Sequence, residues 1–484
     1  MALMNTEGSN HAMSEKVAVL GGGLAGLSAA WKLARAGFEV DMLESLSRVG
    51  GLAASFTRGG FVFDYGPHRF HTKNDDLLAE VRDLMGDELR GRSRKTTVYF
   101  MNRFFDYPLT GSNLLRNLPP SVAALCFFDF LSTWVRGRIA PKIDDSFESW
   151  VVNRFGRRLY DIYFGPYTAK VWGNDPTQLS SSWAAQRVAV VDLWDLIKHT
   201  LGINTRPADE FEHSPYLIDF HYPRHGIGTL PQRLADEIRA SGGRIHLNSR
   251  VVTVEHSEGR ARSVLYLHAG ELQSLAADYV VSSIPINSLV RNMQPVAPAV
   301  VLRAADGLKY RAMVFLYIML DKPQVTDDHW IYFPAKEDVF NRISEIRNFS
   351  EDTVPEGQTS LCVEITCNEG DFLWTASNYE LFERSVEGLE RAGLIRRSEI
   401  MGYFVRRVTH AYPTYDLDFE ENLNRLTGYL HSFENVLTIG RQGLFRYFNM
   451  DHAMETGLRA AEKIMSGALR EKAIKVGQEQ VWFG

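Results

Sequence analysis

At 484 residues the chain is too long for one simple core, so two or three domains are expected. A composition of 45% hydrophobic and 23% charged residues is that of a globular protein, and a formal net charge of −6 argues against bulk nucleic-acid binding. Cys126, Cys362 and Cys367 form no CxxC pair, which predicts a reducing, cytoplasmic setting with no disulfide framework and no metal site.

Residues 1–15 read as a disordered lead or tag remnant. The next segment, KVAVLGGGLAGLSAAWKLARAGFEVDMLES, is the most informative. Val17 to Leu20 is a short buried strand, and Gly21, Gly23 and Gly26 form G-x-G-x-x-G. A small-residue helix follows to Ala36, and a second strand ends at Glu44. The glycines give a tight turn, close approach to a pyrophosphate and close helix–strand packing. The pyrophosphate sits on the helix N-terminus, and Glu44 stands where a carboxylate accepts ribose hydroxyls. In SLSRVGGLAASF, Arg48, Gly50 and Gly51 follow at the Arg-x-Gly-Gly spacing of FAD enzymes of the glutathione-reductase and amine-oxidase type, which selects FAD over NAD.

FDYGPHRFHTKND places a Gly-Pro pair and two histidines after a strand-like stretch. No third ligand stands near His68 and His71, so the stretch reads as a loop against a planar ring, with Gly66 allowing close approach. Asn74 caps a helix whose apolar face carries Leu77, Leu78, Val81, Leu84 and Met85. KTTVYFMNRFFDYPL reads as a hairpin stopped by Pro108. Ser121 to Val135 is the most apolar run; a buried helix is expected, with shallow membrane contact as the alternative and no membrane-spanning segment. Residues 109–205 are helix-rich. A helix over Leu230 to Ala240 and strands at Val251–Val254 and near Tyr279 restore the α/β style, and Val251 is assigned to the cofactor. MVFLYIML and SLCVEIT suggest a second sheet between residues 300 and 410, and the end is strand, glycine turn, helix.

The predicted fold class is therefore α/β: a discontinuous Rossmann-like FAD-binding domain (16–90, 221–290, 431–470) carries two insertions. One is helical (109–205) and the other a mainly antiparallel β-sheet substrate domain (91–108, 291–430).

Four stretches in order, YGPHRFHT, YTAKVWG, NRISEIRNF and GRQGLFRYFNMD, make the chain from about Lys16 to Ile464 resemble the UDP-galactopyranose mutases. The resemblance implies a flavoenzyme that interconverts pyranose and furanose forms of a nucleoside-diphosphate sugar, N5 of reduced FAD acting as nucleophile at the anomeric carbon. It places Gly66 and His68 against the flavin, and Tyr167 and Trp172 along the sugar-nucleotide cleft. Arg342 and Arg187 reach the diphosphate, and Tyr412 is a further phosphate contact. Gly440 lies on the cofactor, Arg441 contacts flavin or diphosphate, and Tyr447 contacts diphosphate or sugar. Met450 and Asp451 open a helix facing the flavin pyrimidine end.

Asn449 stands where the family commonly has Asp, with a catalytic role or a helix N-cap as its readings. Phe445 stands where Tyr is common. The implied catalytic set is His68, Arg342, Arg187, Tyr447 and Asn449, with an external reductant such as NAD(P)H. The only partner expected is the small-molecule nucleotide sugar; a homo-oligomer is compatible. An FAD-dependent amine or protoporphyrinogen-type oxidase, and a flavoprotein that only binds nucleotide sugars, are the competing readings.

Overall fold

The computed structural model describes residues 15–107, 117–139, 143–181 and 219–468. Two sheets organise them. The first has five parallel strands in the order Val436–Thr438, Tyr279–Ser282, Lys16–Leu20, Glu39–Leu43, Arg244–His246. Val17 to Leu20 occupy its centre and are buried, as a parallel strand covered on both faces must be. The helix Leu24–Arg35 follows directly and is buried along most of its length. Its alanines admit the last helix, Met450–Met465, at very close range: a Cβ on Gly457 would lie 2.1 Å from the Ala25 carbonyl.

The second sheet has seven strands, from Ile400–Pro413 through Tyr310–Leu320, Thr359–Cys367, Arg342–Glu345, Trp330–Tyr332 and Thr96–Phe100 to Arg103–Asp106. All its pairings are antiparallel except that of Trp330–Tyr332 with Thr96–Phe100. The Thr96–Asp106 hairpin thus extends a sheet built mostly from residues 310–413. Ser249–Ser257, containing Val251, belongs to a smaller four-stranded sheet with Arg260–His268, Glu271–Ala276 and Met293–Gln294. The helix Thr229–Ala240 packs on the Leu24–Arg35 helix. Asn74 caps its helix as expected, its Oδ1 accepting from Leu77 N at 3.1 Å.

One expectation is corrected. The apolar run Ser121–Val135 does form a helix, Pro120–Ile139, but it is not a buried one. Leu125, Phe127, Leu131 and Val135 are exposed, and Phe128 is 64% exposed, while Phe130 turns inward. Apolar residues run all round this helix, and its neighbours, chiefly the helix Phe147–Phe155, cover only part of its circumference. Among the described residues no helix is long and apolar enough to cross a membrane.

Candidate active site

The glycine loop between the first strand and helix has the geometry its sequence requires. Gly21 takes φ +98° and donates its N–H to the Leu43 carbonyl at 2.9 Å. A Cβ on Gly26 would lie 2.1 Å from the Gly21 carbonyl, so only glycine fits. A Cβ on Gly23, by contrast, would meet nothing within 4 Å. That space lies at the helix N-terminus, where free N–H groups favour an anion. Glu44 accepts from Gly22 N at 2.7 Å and from Leu46 N at 2.8 Å. With Ser45 Oγ donating to Oε1 at 3.2 Å, these bonds fix the carboxylate and leave Oε2 a lone pair for a ligand hydroxyl.

Gly50 and Gly51 seat the second turn on the first: Gly50 N donates to Gly22 O at 2.7 Å, and both residues take positive φ. Arg48 donates to the Tyr65 hydroxyl and lies 5.6 Å from the ring centroids of Phe56 and Tyr65, with its Nε buried and unbonded. Together these elements wall a cavity of about 900 Å³. It runs from Glu44, Ser45 and Val251 past Gly23 and Arg48 to His68, Arg441, Asn449 and Met450. The volume suits a dinucleotide-sized cofactor. The empty space at Gly23 and the unpartnered Nε atoms of Arg48 and Arg406, both lining the cavity, fit FAD.

At the far end His68 is half-buried and lines the cavity. Burial, with the positive fields of Arg441 and Arg342, lowers its pKa to about 3 against the pull of the Tyr65 backbone. The imidazole is therefore neutral at neutral pH. Gly66 turns the other way: at φ +85°, its Cβ position lies 2.9 Å from Glu364 Oε1, so this glycine lets the loop rest on a buried carboxylate. Asn449 precedes the helix Met450–Met465 without any side-chain capping bond, and it lines the cavity. Met450 lines it too; Asp451 is buried behind, 3.2 Å from His452 Nδ1.

Beside His68 stands a wall of tyrosines and arginines. Arg342 and Glu364 are direct partners across adjacent antiparallel strands and form a bidentate pair: Nε to Oε1 at 2.9 Å, Nη2 to Oε2 at 2.7 Å. The Glu364 side chain is 1% exposed; burial pushes its carboxyl up, and the guanidinium opposes this. Nη1 of Arg342 is not used in the pair. Tyr412 and Tyr447 stack at 5.0 Å and 13°, with Arg441 over both rings. Arg441 is held by the carbonyls of Phe448 (2.9 Å from Nε) and Ala411 (3.2 Å from Nη1). Tyr167 stacks on Tyr163 and meets Tyr332 edge-on at 6.1 Å. Burial raises the pKa of Tyr412, Tyr163 and Tyr167, so all three remain neutral hydrogen-bonding phenols.

Trp172 differs from expectation. It is 5% exposed and lies behind the Tyr412–Tyr447 pair, at 5.8 and 6.3 Å. It supports the tyrosine faces and offers none of its own, because it ends the helix Gly165–Trp172 on its buried side. Arg187 lies outside the described residues. Sequence reasoning missed Arg69, Arg406, Tyr332 and Glu364. Only Glu364 left a signal: it is the one charge in the apolar run SLCVEITC, and a charge there needs a partner.

Residues 24–465 match the family model described as flavin containing amine oxidoreductase. The crystal structure of reduced UDP-galactopyranose mutase superposes with a TM-score of 0.81 at 22% identity, covering 96% of this chain and 97% of that one. An L-amino-acid oxidase of Demansia vestigiata is 20% identical, covering 96% of this chain and 89% of its own length. A "Probable UDP-galactopyranose mutase" of Klebsiella pneumoniae is 27% identical over 35% of this chain and 44% of its own length.

Proposed function

This chain belongs to the flavin-containing amine oxidoreductases, an FAD-binding family, and we propose that it uses their fold as a mutase, interconverting pyranose and furanose forms of a nucleoside-diphosphate sugar. The observation that carries this reading is the composition of the wall beside His68. Arg69, Arg342 and Arg441 lie within electrostatic reach of His68, and neutral tyrosines surround them. Such a wall suits a diphosphate and repels an ammonium ion. Arginine gives the forked, permanently charged donors that phosphate oxygens need.

FAD, held by the Gly21–Gly26 loop, Glu44, Arg48, Gly50 and Gly51, supplies in its reduced form a nucleophilic nitrogen for the anomeric carbon. The protein's own residues do the rest. Arg342 is aimed by Glu364 and keeps Nη1 for a phosphate oxygen, stabilising the leaving nucleotide; such a contact is worth about 3–4 kcal/mol. Arg441 is pinned by two carbonyls and adds positive potential without moving. Tyr412 and Tyr447 present parallel phenols beside it. His68 serves as a neutral hydrogen-bonding group at the cofactor edge, and Asn449 offers an uncharged amide at the start of the last helix. Arg187 is proposed as the second diphosphate ligand, and NAD(P)H as the external reductant.

The test uses FAD-loaded protein and a panel of UDP-, GDP- and dTDP-hexoses, with products separated by chromatography. Dithionite-reduced protein is expected to form a furanose isomer, and oxidised protein to form none. Equal conversion in both states rejects the proposal. The family's oxidase members support a second reading, because the L-amino-acid oxidase match spans nearly the whole chain. In that case an amine or amino acid bleaches the flavin anaerobically with no added reductant, and reduced protein leaves every nucleotide sugar unchanged.

A further inference from the structure

The three arginines near His68 are not equivalent in charge. Arg342 is offset by the buried carboxylate of Glu364. Among the described residues Arg441 bonds only to backbone carbonyls, and neither it nor Arg69 has a carboxylate partner. Arg69 is half-buried, its guanidinium 4.5 Å from the ring centroid of the buried Trp330 and 5.9 Å from that of Phe220. Its backbone is fixed on both sides. His68 precedes it in the cavity wall, and Phe70 follows, bonded to His221 in both directions at 2.9 and 2.7 Å. Arg69 shares its field with Tyr332, Arg94, Arg342 and Tyr447. A semi-buried guanidinium stacked on indole and lacking a counter-charge is costly unless a ligand supplies the anion. Among the described residues Arg69 and Arg441 are thus two guanidiniums facing this wall without a carboxylate partner, the sign of charge that a diphosphate requires.

We propose that Arg69 is a substrate-binding residue that takes a phosphate oxygen of the diphosphate, so that Arg69 and Arg441 supply the charge balance while the Arg342–Glu364 pair supplies direction. This rests on the nucleotide-sugar reading above. It also extends the site to a residue that sits between the two histidines of the flavin-facing loop.

The test titrates FAD-loaded wild type, Arg69→Met and Arg69→Lys with UDP, uridine and inorganic pyrophosphate by calorimetry, at low and high salt, with GDP and guanosine as the parallel pair. Methionine keeps the stem against Trp330 and removes the charge. Arg69→Met is expected to weaken nucleoside-diphosphate binding about 10- to 100-fold, the range for losing hydrogen bonds to a charged group. Nucleoside binding and the flavin spectrum should stay as in wild type, the salt dependence should become shallower, and lysine should restore part of the loss. Wild-type diphosphate affinity in Arg69→Met overturns the inference, as does equal loss of diphosphate and nucleoside. The two readings separate cleanly. Arg69-dependent pyrophosphate binding without nucleotide-sugar turnover keeps the anion role and ends the mutase reading. Turnover that Arg69→Met leaves unaltered does the reverse, and a wild type that binds neither nucleoside diphosphate nor pyrophosphate overturns both.

Discussion

Glu364→Gln tests how the cationic wall is held. The native carboxylate accepts two bonds from Arg342, at 2.9 and 2.7 Å, in a position 1% exposed. Glutamine keeps one acceptor, but its amide group then faces a guanidinium N–H, donor against donor. One charge-assisted bond, worth about 1.5–3 kcal/mol, is lost outright, and the other loses its ionic character. The guanidinium meanwhile stays charged without its counter-ion. Removing one partner of a buried pair costs about 3–5 kcal/mol, so a loss of about 2–4 kcal/mol is expected for this shape-preserving change. Urea unfolding of FAD-loaded protein, followed by flavin fluorescence, measures it. Most of the loss should vanish in an Arg342→Met background, giving a coupling energy of about 2 kcal/mol in a double-mutant cycle. A Glu364→Gln protein as stable as wild type, or fully additive effects, would refute the claim that this pair is an integral, dry contact.

Gly23→Ala should fold normally, since its Cβ meets no protein atom within 4 Å and its φ of −75° suits any residue. The methyl would instead occupy pyrophosphate space, so FAD content after purification should drop at least tenfold; full flavin loading would disprove this placement. Asp64 is buried next to the Gly66–His71 loop, bonded by Ser55, Tyr222 and Ile227, and burial raises its pKa to about 6 against those bonds. The native state therefore binds this proton more tightly than the unfolded chain, and the group's contribution to stability declines as pH rises from about 4 to about 6. From the ordinary value of 3.8, the loss is about 3 kcal/mol. Asp64→Asn should remove it, so the variant gains on wild type across that window; a stability difference that does not vary with pH would contradict it.

The cofactor half of the site was legible because it is local. Strand, three glycines, helix and Glu44 are contiguous, and each has a backbone reason that sequence spacing displays. The cleft was harder because its contacts depend on register. Arg342 and Glu364 meet only because two antiparallel strands align them, and no periodicity announces that pairing. Arg69 carried no signal of its own in the sequence, because the Phe70–His221 bonds and the Trp330 face that set its place come from distant segments. Trp172 was placed along the cleft because its motif is visible in a sequence and the orientation of its helix is not. The helix Pro120–Ile139 misled for a related reason: hydrophobicity says that a surface seeks cover, not that a neighbour provides it.

The five-stranded sheet has a consequence for biosynthesis. Its edge strand, Val436–Thr438, and the Gly440–Arg441 turn emerge from the ribosome some four hundred residues after the central strand Lys16–Leu20. A nascent chain that stops earlier leaves Tyr279–Ser282 with an open edge and lacks the last helix that seats on Ala25. Cofactor capture thus waits until Val436–Thr438 and Met450–Met465 have been made, and shorter N-terminal fragments should be apo and prone to sticking together, however complete their glycine fingerprint.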